Sequence, residues 1–459
     1  MPLVIETFRS SKTPWEVFQA VHANSKACFF LDSPQHAPPD QIYSYIGMDP
    51  EVEVRLGEKV LYVEGKRNKK YPAREFFPAL KKLLQKYRAS PKSPTPFFAG
   101  GFVGYLGYES ANLCDKIKFR AKPSPGIPRI YLGLFRNVIV YDHQKRIYHL
   151  VTQGKGKAND VQRTEKLKSY FVAVSAKPTQ HFKLKGFTAE MTKKTFKKMV
   201  GRAKEYIAAG DIYQANLSQR FSFGYQGSSL GLYGKLRAIN PSPFSCFLKA
   251  GELEIVSSSP ERLIRKKGRI CETRPIAGTC PARGSSRKTG EWRKNLLQNE
   301  KERAEHLMLV DLERNDLGRV CDYRSVKVEE FMTLERYSHV VHIVSRITGA
   351  LKKGKDALDV IKAMFPGGTI TGCPKIRCMQ IIDELEPVRR GVYTGSLGYI
   401  DLHGDMDLNI VIRTILLKNG KGHLQVGAGI VYDSDPEKEY EETLHKARAL
   451  VQALREASV

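Results

Sequence analysis

The first part of the chain carries short apolar and alternating segments. Residues 27–31 form an unbroken apolar run, residues 51–54 alternate polar and apolar side chains, and residues 60–63 form a further strand-like run. Runs of this length, with a period of two, predict β-strands. A helical pattern begins near Pro14, and glycines interrupt the apolar run at residues 100–108. Glycines within such a run predict a strand that a neighbouring backbone approaches closely.

The second part alternates between helical and extended patterns. Residues 192–209 are amphipathic and are followed by Gly210, and residues 294–314 are rich in helix-forming residues. Both segments are therefore predicted to be helices.

Residues 392–431 predict an antiparallel meander. Its strands and turns are predicted at residues 392–402, 406–417 and 423–431, with Gly404 and Asn419-Gly420 between them. Antiparallel strands combined with separate helices predict an α+β fold rather than a doubly wound parallel sheet.

The length of 459 residues suggests about three structural units or two large ones. The polar segment Lys177-Pro178-Thr179 marks a plausible boundary. We therefore predict an N-terminal region at residues 1–185 and a second region at residues 186–459.

The composition excludes several classes of protein. A hydrophobic fraction of 41% supplies enough apolar surface for a sizeable core, so the chain is not disordered. No apolar run approaches the roughly 18–20 residues that span a bilayer, and residues 1–6 lack the pattern of a secretory signal. We therefore expect a cytoplasmic protein with no membrane partner. The eight cysteines include no CxxC pair, which favours reduced thiols over a zinc site or a disulfide framework.

The net charge of +27, from 75 Lys and Arg against 48 Asp and Glu, raises the question of a nucleic-acid partner. The basic residues form short clusters, such as Lys69-Lys70 and Lys193-Lys194, that are spread along the chain. No zinc-finger, basic-zipper or RNA-binding signature accompanies them. A non-catalytic nucleic-acid-binding protein is therefore a remote alternative, and a basic surface that attracts a small anionic substrate is favoured.

The last helical pattern places two carboxylates and an amine on one face. Glu439, Glu442 and Lys446 are spaced three and four residues apart, whereas apolar residues such as Ala447 and Leu454 lie on another face. Two carboxylates on one edge suit Mg²⁺, which takes oxygen ligands and usually keeps several waters. From spacing alone, a solvated charged face is the ordinary explanation.

Three further features could carry chemistry. Glu305 precedes the apolar run at residues 307–310, which places it at the edge of a core. Residues 365–375 combine glycines, hydroxyls and a lysine ahead of a helix, and such loops present backbone N–H groups to anions. The spacing is not that of a Walker loop. His342 lies in an apolar run, where a structural histidine is the ordinary explanation. None of these features names a reaction.

Taken in order, nine segments of the chain resemble the chorismate-utilising enzymes. They lie at residues 210–221, 258–262, 272–279, 303–319, 335–342, 366–377, 381–390, 391–414 and 427–446. The resemblance covers nearly all of residues 190–450 and is weaker in the N-terminal region. It implies an intertwined α+β fold with two large, mainly antiparallel sheets, in which residues 186–459 form the chorismate-binding catalytic domain.

The resemblance also implies roles for individual residues. The Mg²⁺ site would comprise Glu305, Glu439 and Glu442. Chorismate would be held by Gly278, Thr279, Tyr393, Arg413, Gly427, Gly429 and Lys446. The catalytic set would be Glu261, as the general acid for departure of the C4 hydroxyl, with His342, Thr369 and Gln214.

Gln214 indicates which branch of the family the chain resembles. Water-using members, the isochorismate and salicylate synthases, place a lysine base at this position, and a neutral amide cannot activate water in that way. The resemblance is therefore to the branch that uses ammonia. Within it, anthranilate synthase component I aminates C2 and expels pyruvate, whereas aminodeoxychorismate synthase component I aminates C4 and keeps the enolpyruvyl group.

The motifs divide between these two reactions. Residues 214–217, 366–371 and 398–410 favour aminodeoxychorismate formation, which leads to 4-aminobenzoate and folate. Ala277 and residues 337–340 favour anthranilate formation, which leads to tryptophan. At position 277 some aminodeoxychorismate synthases carry a lysine that is proposed to attack C2, and alanine cannot take that role. Residues 337–340 resemble the anthranilate synthases. The balance favours aminodeoxychorismate formation, with anthranilate formation as the alternative.

The source of ammonia is a further expectation. No Gly-x-Cys-x-Gly elbow of a glutaminase occurs in the sequence. The resemblance therefore implies a separate glutamine amidotransferase subunit that supplies ammonia to this chain.

Two segments resemble the tryptophan pocket of the family. The candidate residues are Leu31, Ser33, Asn240, Pro241 and Ser242. Asp32 stands where a glutamate is expected, and the Asn-Pro-Ser-Pro sequence is also typical of a plain turn.

Overall fold

The protein is described here by a computed structural model. It describes residues 3–33, 42–88, 95–121, 126–154, 157–172, 181–281, 298–336 and 340–458. The boundary motif at residues 177–179, residues 294–297 of a predicted helix and residues 337–339 lie outside this part of the chain.

Helices and strands alternate along the described residues. The helices are α1 (Pro14–Asn24), α2 (Phe76–Tyr87), α3 (Lys157–Val172), α4 (Lys193–Ala208), α5 (Ser229–Ile239), α6 (Glu300–Gly318), α7 (Ala357–Met364), α8 (Lys375–Leu385) and α9 (Pro436–Ala457). The strands are β1 (Leu3–Phe8), β2 (Ala27–Asp32), β3 (Tyr43–Met48), β4 (Val52–Leu56), β5 (Val60–Glu64), β6 (Lys69–Pro72), β7 (Gly101–Leu106), β8 (Ile130–Phe135), β9 (Asn137–Asp142), β10 (Ile147–Gln153), β11 (Phe182–Ala189), β12 (Gln214–Gly227), β13 (Phe244–Ala250), β14 (Leu253–Ser259), β15 (Arg262–Lys267), β16 (Ile270–Thr273), β17 (Ile276–Pro281), β18 (Lys327–Arg336), β19 (Val340–Ala350), β20 (Gly372–Cys373), β21 (Ser396–Asp401), β22 (Met406–Asn409), β23 (Thr414–Lys418) and β24 (Lys421–Ile430).

These strands form two antiparallel sheets. The first has the order β1-β10-β9-β3-β2-β13-β14-β23-β24-β12-β11, with β20 paired to β12. The second has the order β17-β19-β16-β15-β22-β21-β7-β8-β4-β5-β6, with β18 paired to β19. Two antiparallel sheets with surrounding helices confirm the predicted α+β class and the intertwined two-sheet arrangement.

The sheets pack face to face, and helices cover their outer faces. Phe29 and Leu416 of the first sheet and Tyr105, Tyr131 and Phe135 of the second belong to one buried cluster between them. A second cluster joins the first sheet to α1, α3, α5 and α9. A third joins the second sheet to α2, α6 and α7. The layers are therefore helix, sheet, sheet and helix.

Both sheets combine strands from the two sequence regions. In the first, β2 pairs with β13, and in the second, β7 pairs with β21. Strand β11 itself crosses residue 185. The division of the sequence at residue 185 stays a prediction. Each of the two hydrogen-bonded sheets contains strands from both sides of that residue.

The predicted helix boundaries follow from their caps. Helix α4 begins after Thr192, whose side chain accepts a hydrogen bond from the Thr195 backbone N–H. Helix α9 begins after Asp435, whose side chain accepts from two backbone N–H groups, with Pro436 as the first helical residue. Among the described residues, no helix is both long and apolar enough to cross a bilayer.

The predicted meander at residues 392–431 was wrong in its connectivity. Strands β21 and β22 form a hairpin in the second sheet, whereas β23 and β24 form a hairpin in the first. The single strand predicted at residues 406–417 is interrupted after Asn409, and Arg413 adopts a φ of 50° before β23. Residues 410–412 are apolar, so the hydrophobic pattern of the strand continues through the segment in which the chain passes from one sheet to the other. This is why a single strand was predicted.

The glycine-rich strand β7 confirms the predicted close approach of backbones. A Cβ at Gly104 would lie 1.9 Å from the Tyr131 carbonyl oxygen. Gly201, in contrast, lies in α4 with no atom within 4 Å of such a Cβ.

We expect Gly104→Ala to destabilise the protein by about 3 kcal/mol or more, because the β7 and β8 backbones must separate. Gly201→Ala is the matched control and should raise stability by up to about 1 kcal/mol, because alanine favours a helix interior. Thermal unfolding monitored by circular dichroism measures both effects. Equal unfolding midpoints for the two variants would contradict the packing described for β7.

Candidate active site

Strands β12 and β24 form one wall of the candidate site. Asn216 on β12 is paired with Gly429 on β24. A Cβ at Gly429 would lie 2.5 Å from Gln214 Nε2. One at Gly427 would lie 2.7 Å from Asn216 Oδ1 and 2.8 Å from the Tyr393 hydroxyl oxygen. The absence of side chains at both glycines therefore lets three polar side chains face the same stretch of backbone.

Helix α9 adds charged groups beside this wall. Lys446 Nζ donates to the Gly427 carbonyl oxygen over 3.1 Å and lies 2.6 Å from a carboxylate oxygen of Glu442. Glu439, one turn earlier, is only 7% exposed. The predicted shared face of Glu442 and Lys446 is confirmed by their contact, and Ala447 packs in the core on the other side.

Glu305 reaches the same place from α6. Gln214 Nε2 donates to Glu305 Oε1 over 2.7 Å. Burial raises the pKa of Glu305, and the Gln214 amide lowers it. The nearby Glu302 and Glu442 carboxylates raise the pKa of Glu305 further, while Lys446 opposes them. The structure thus brings together Glu305 and Glu442, which lie far apart in sequence.

Glu302 is a member of this group that the sequence interpretation missed. It lies three residues before Glu305, which is the spacing that places two side chains on one helical face. The same spacing was used for Glu439 and Glu442 on α9, and it was the available signal for Glu302.

These carboxylates have the chemistry of a Mg²⁺ site. Among the described residues, no three His, Cys, Asp or Glu side chains form a complete metal cage. Mg²⁺ is usually held by one or two carboxylates together with waters and substrate oxygens. The Glu302 and Glu442 carboxylates raise the pKa of Glu305. A cation stabilises such a group, so Glu305 and Glu442 fit such an ion, with Glu439 beside them on α9.

Glu261 is the buried acid of the site. It lies between β14 and β15, directly before Arg262, and is 5% exposed. Burial raises the pKa of Glu261 to about 7, against the opposing effects of the Thr369 hydroxyl, the Ile276 backbone and the positive charges of Arg413 and Lys446. A carboxyl with this pKa holds a proton near neutral pH and can donate it. This is the protonation state that its predicted role requires.

The glycine loop is fixed by hydrogen bonds within the protein. Thr371 Oγ1 donates to the Gly367 carbonyl oxygen over 2.8 Å. The Gly368 N–H donates to Glu313 Oε1 over 3.3 Å. A backbone N–H of this loop therefore does bind a carboxyl group, but that group belongs to the protein itself. Thr369, between these residues, keeps its hydroxyl beside Glu261.

Tyr393 and Arg413 lie on the connections that join the two sheets. The Arg413 backbone carbonyl accepts from the Ser258 N–H over 3.1 Å. The guanidinium of Arg390 lies 5.7 Å from the centre of the Tyr393 ring. Burial raises the pKa of the Tyr393 hydroxyl, so this group remains a neutral hydrogen-bond donor.

His342, Gly278 and Thr279 lie on the adjacent strands β19 and β17. His342 is 2% exposed and is paired in register with Thr279. The register shifts around Gly278, and the side chains at positions 278 and 279 lie outside the described part of the chain. Because the Ile276 backbone on β17 hydrogen-bonds to Glu261, this strand borders the site.

Several buried polar atoms of the site lack a hydrogen-bond partner among the described residues. They are Gln214 Oε1, Asn216 Oδ1, Glu261 Oε1 and Thr369 Oγ1. Native interiors rarely leave such atoms unpaired. Their concentration between β12, β24 and the glycine loop indicates a polar ligand at this place.

A separate cavity of about 440 Å³ corresponds to the second predicted pocket. Leu31, Asp32 and Ser33 line it. In the second predicted segment the lining begins at Pro243, so residues 240–242 lie immediately before the lining residues rather than among them. Whether tryptophan occupies this cavity stays a prediction.

The fold and the site together define an enzyme that binds an anionic substrate beside a protonated carboxyl and a group of carboxylates. A family model described as chorismate binding enzyme matches residues 8–452. The chain therefore belongs to the chorismate-binding enzyme family.

The most similar relatives include members of both ammonia-using branches. The chain is 43% identical over 422 residues to aminodeoxychorismate synthase component 1 of Bacillus subtilis, covering 90% of this chain and 88% of that protein. It is 39% identical over 448 residues to anthranilate synthase component 1 of Methanothermobacter marburgensis, covering 97% and 94%. These similar identities establish a chorismate-utilising enzyme without distinguishing its product.

Solved structures confirm the fold. Anthranilate synthase component I from Streptococcus pneumoniae superposes with a TM-score of 0.80 at 34% identity, covering 89% of this chain and 92% of that one. The isochorismate synthase MenF from Escherichia coli gives a TM-score of 0.76 at 17% identity, covering 99% of this chain and 94% of that one, which is a likeness of fold alone.

We expect kcat/KM for chorismate to fall as the pH rises above about 7, because Glu261 must be protonated to act as an acid and its pKa is about 7. The raised pKa keeps the acid form below pH 7, and the activity is lost as the pH passes through that value. Glu261→Gln should lower kcat by about 10²–10⁴-fold, the usual contribution of a general acid. Steady-state rates between pH 5.5 and 9 measure this, and a flat wild-type profile would contradict it.

Proposed function

We propose that the chain is the synthase subunit of an aminodeoxychorismate synthase. It would convert chorismate and ammonia to 4-amino-4-deoxychorismate, the precursor of 4-aminobenzoate for folate biosynthesis. The observation that carries the use of ammonia is the environment of Gln214. Its amide donates to Glu305, so the position holds a neutral hydrogen-bonding group and no lysine base for water. The motifs at residues 366–371 and the relative in Bacillus subtilis support amination at C4.

The proposed substrate position follows from the charges of the site. The ring carboxylate would face the backbone of Gly427 and Gly429 and the ammonium of Lys446. The enolpyruvyl carboxylate would face Tyr393 and Arg413. This orientation would place the C4 hydroxyl near Glu261, the acid of the site. Donors placed where charge develops stabilise a transition state strongly in a buried site.

Mg²⁺ is part of the proposal, with Glu305, Glu439 and Glu442 as the residues that would hold it. When bound, it would neutralise the ring carboxylate of chorismate, as a cation does for an anionic substrate. The pKa of Glu305 supports this assignment, because burial raises it and the nearby Glu302 and Glu442 carboxylates raise it further.

The chemical step needs only groups that the proposal names. Ammonia forms the new C–N bond, the C4–O bond breaks, and the hydroxyl leaves as water with the proton of Glu261. The ammonium group of the product then loses a proton, which restores the acid. Ala277 has no nucleophilic atom and is buried on β17. A covalent adduct at position 277 is therefore excluded from this route.

The second candidate is anthranilate synthase, and Ala277 is the observation that favours it. In that reaction ammonia would add at C2, with the same loss of the C4 hydroxyl, and pyruvate would leave afterwards. The relatives named anthranilate synthase component 1 support this candidate at nearly the same identity.

Product identification separates the two candidates. The purified chain should convert chorismate, with Mg²⁺ and an ammonium salt, to a product that yields 4-aminobenzoate only when an aminodeoxychorismate lyase is added. Chromatography resolves 4-aminobenzoate from anthranilate. Anthranilate and pyruvate formed without the lyase would reject the first candidate and establish the second.

The proposal includes a glutamine amidotransferase partner in the cytoplasm. The relatives are named as component 1 of their enzymes, and the seven cysteines whose side chains the structure describes are free thiols. The purified chain should turn over with ammonium chloride and not with glutamine. Glutamine-dependent turnover by the chain alone would contradict the need for a partner.

A further inference from the structure

Helix α6 presents a second buried carboxyl to the site. Glu313 lies eight residues after Glu305 on this helix, about 12 Å along its axis. It is 3% exposed. Neither the metal group nor the acid assigned above uses it, and its sequence context, within a charged helix, is that of an ordinary surface residue.

Both oxygens of Glu313 contact segments that border Glu261. Oε1 accepts from the Gly368 N–H over 3.3 Å. Oε2 accepts from the Thr273 hydroxyl over 3.3 Å. Gly368 directly precedes Thr369, whose hydroxyl lies beside Glu261. Thr273 ends β16, just before the strand whose Ile276 backbone bonds to Glu261.

The charged groups around Glu313 come from three elements. Asp316 lies one turn later on α6 and pairs with Lys375 of α8. Glu261 lies at the end of β14. Burial and Asp316 raise the pKa of Glu313 to about 8, Lys375 opposes them, and Glu261 adds to the rise. The charged groups that face Glu261 in turn are Arg413 and Lys446.

We propose that Glu313 is a positioning residue for the acid Glu261. It holds Gly368 by its backbone N–H and thereby fixes the Thr369 hydroxyl against the Glu261 carboxyl. The proposal rests on the role of Glu261 as the general acid, which both candidate reactions share. It does not depend on which product forms.

The test compares Glu313→Gln and Glu313→Ala. The amide of glutamine still accepts from the Gly368 N–H, so Glu313→Gln should keep kcat within about threefold of wild type at pH 6.5. Glu313→Ala leaves the N–H unpaired and frees the loop, and kcat should fall by about 10²-fold while KM for chorismate changes little. Chorismate consumption is the readout, with saturating Mg²⁺ and ammonium.

The pH profile provides a readout that a merely structural role would not change. In Glu313→Ala the freed loop carries the Thr369 hydroxyl away from Glu261. Because that hydroxyl lowers the pKa of Glu261, the alkaline limb of kcat should end at higher pH than in wild type, whereas the limb of Glu313→Gln should match the wild-type limb. Asp311→Asn is the matched control, since Asp311 lies on the exposed face of the same helix. Its kcat and profile should equal those of wild type.

Two results would overturn the proposal. One is an alkaline limb in Glu313→Ala that coincides with the wild-type limb. The other is an equal loss of kcat in Glu313→Gln and Glu313→Ala at pH 6.5 with unchanged unfolding midpoints. If Glu313→Ala does not fold, Glu313→Gln alone decides, and a kcat more than threefold below wild type at pH 6.5 with an unchanged unfolding midpoint overturns the proposal. If all variants and the wild type consume chorismate but form an unexpected product, the proposed function fails while this proposal stands.

Discussion

The guanidinium of Arg390 joins the segments on which the site depends. It is fully buried and donates to the carbonyl oxygens of Ile370, over 2.8 Å, and Asn216, over 2.5 Å. It also forms two hydrogen bonds to Glu386, one turn before it in sequence. A buried charge is tolerated only when its partners are complete. The glycine loop, β12 and the end of α8 are therefore held in one arrangement by a single side chain.

The acidic partner of Arg390 extends this arrangement. Glu386 Oε1 accepts from both the backbone N–H and the hydroxyl of Ser218. The Arg390 guanidinium also lies over the rings of Tyr108 and Tyr393. Arg390 and Glu386 therefore hold β12, the strand of Gln214 and Asn216, in a fixed position relative to the glycine loop, and no substrate is needed for this. The unpaired polar atoms Gln214 Oε1 and Asn216 Oδ1 lie on this strand.

The sequence was sufficient for much of the fold and for part of the site. The amphipathic pattern located α4, the residue spacing located the charged face of α9, and apolar or alternating runs located strands such as β2, β4, β5 and β7. The passage of residues 410–412 between sheets could not be predicted, because a buried connection between two sheets is as apolar as a buried strand. Spacing showed that Glu442 and Lys446 share a face. The approach of Glu305 to Glu442 required the tertiary fold, and only the resemblance to a family anticipated it. Glu313 was missed because burial, and not residue type, distinguishes it from its charged neighbours.

The sharing of both sheets between the two sequence regions has a consequence for how the chain folds. Strand β2 cannot pair with β13, and β7 cannot pair with β21, until those later strands have been synthesised. Neither sheet can therefore be completed when only the first 185 residues have been synthesised. Contacts between residues distant in sequence slow folding because loops must close before the contacts form. On the ribosome, the N-terminal strands would therefore expose unpaired edges until late in translation. Such edges are sites of aggregation, and the many lysines along this chain provide the charge repulsion that opposes it.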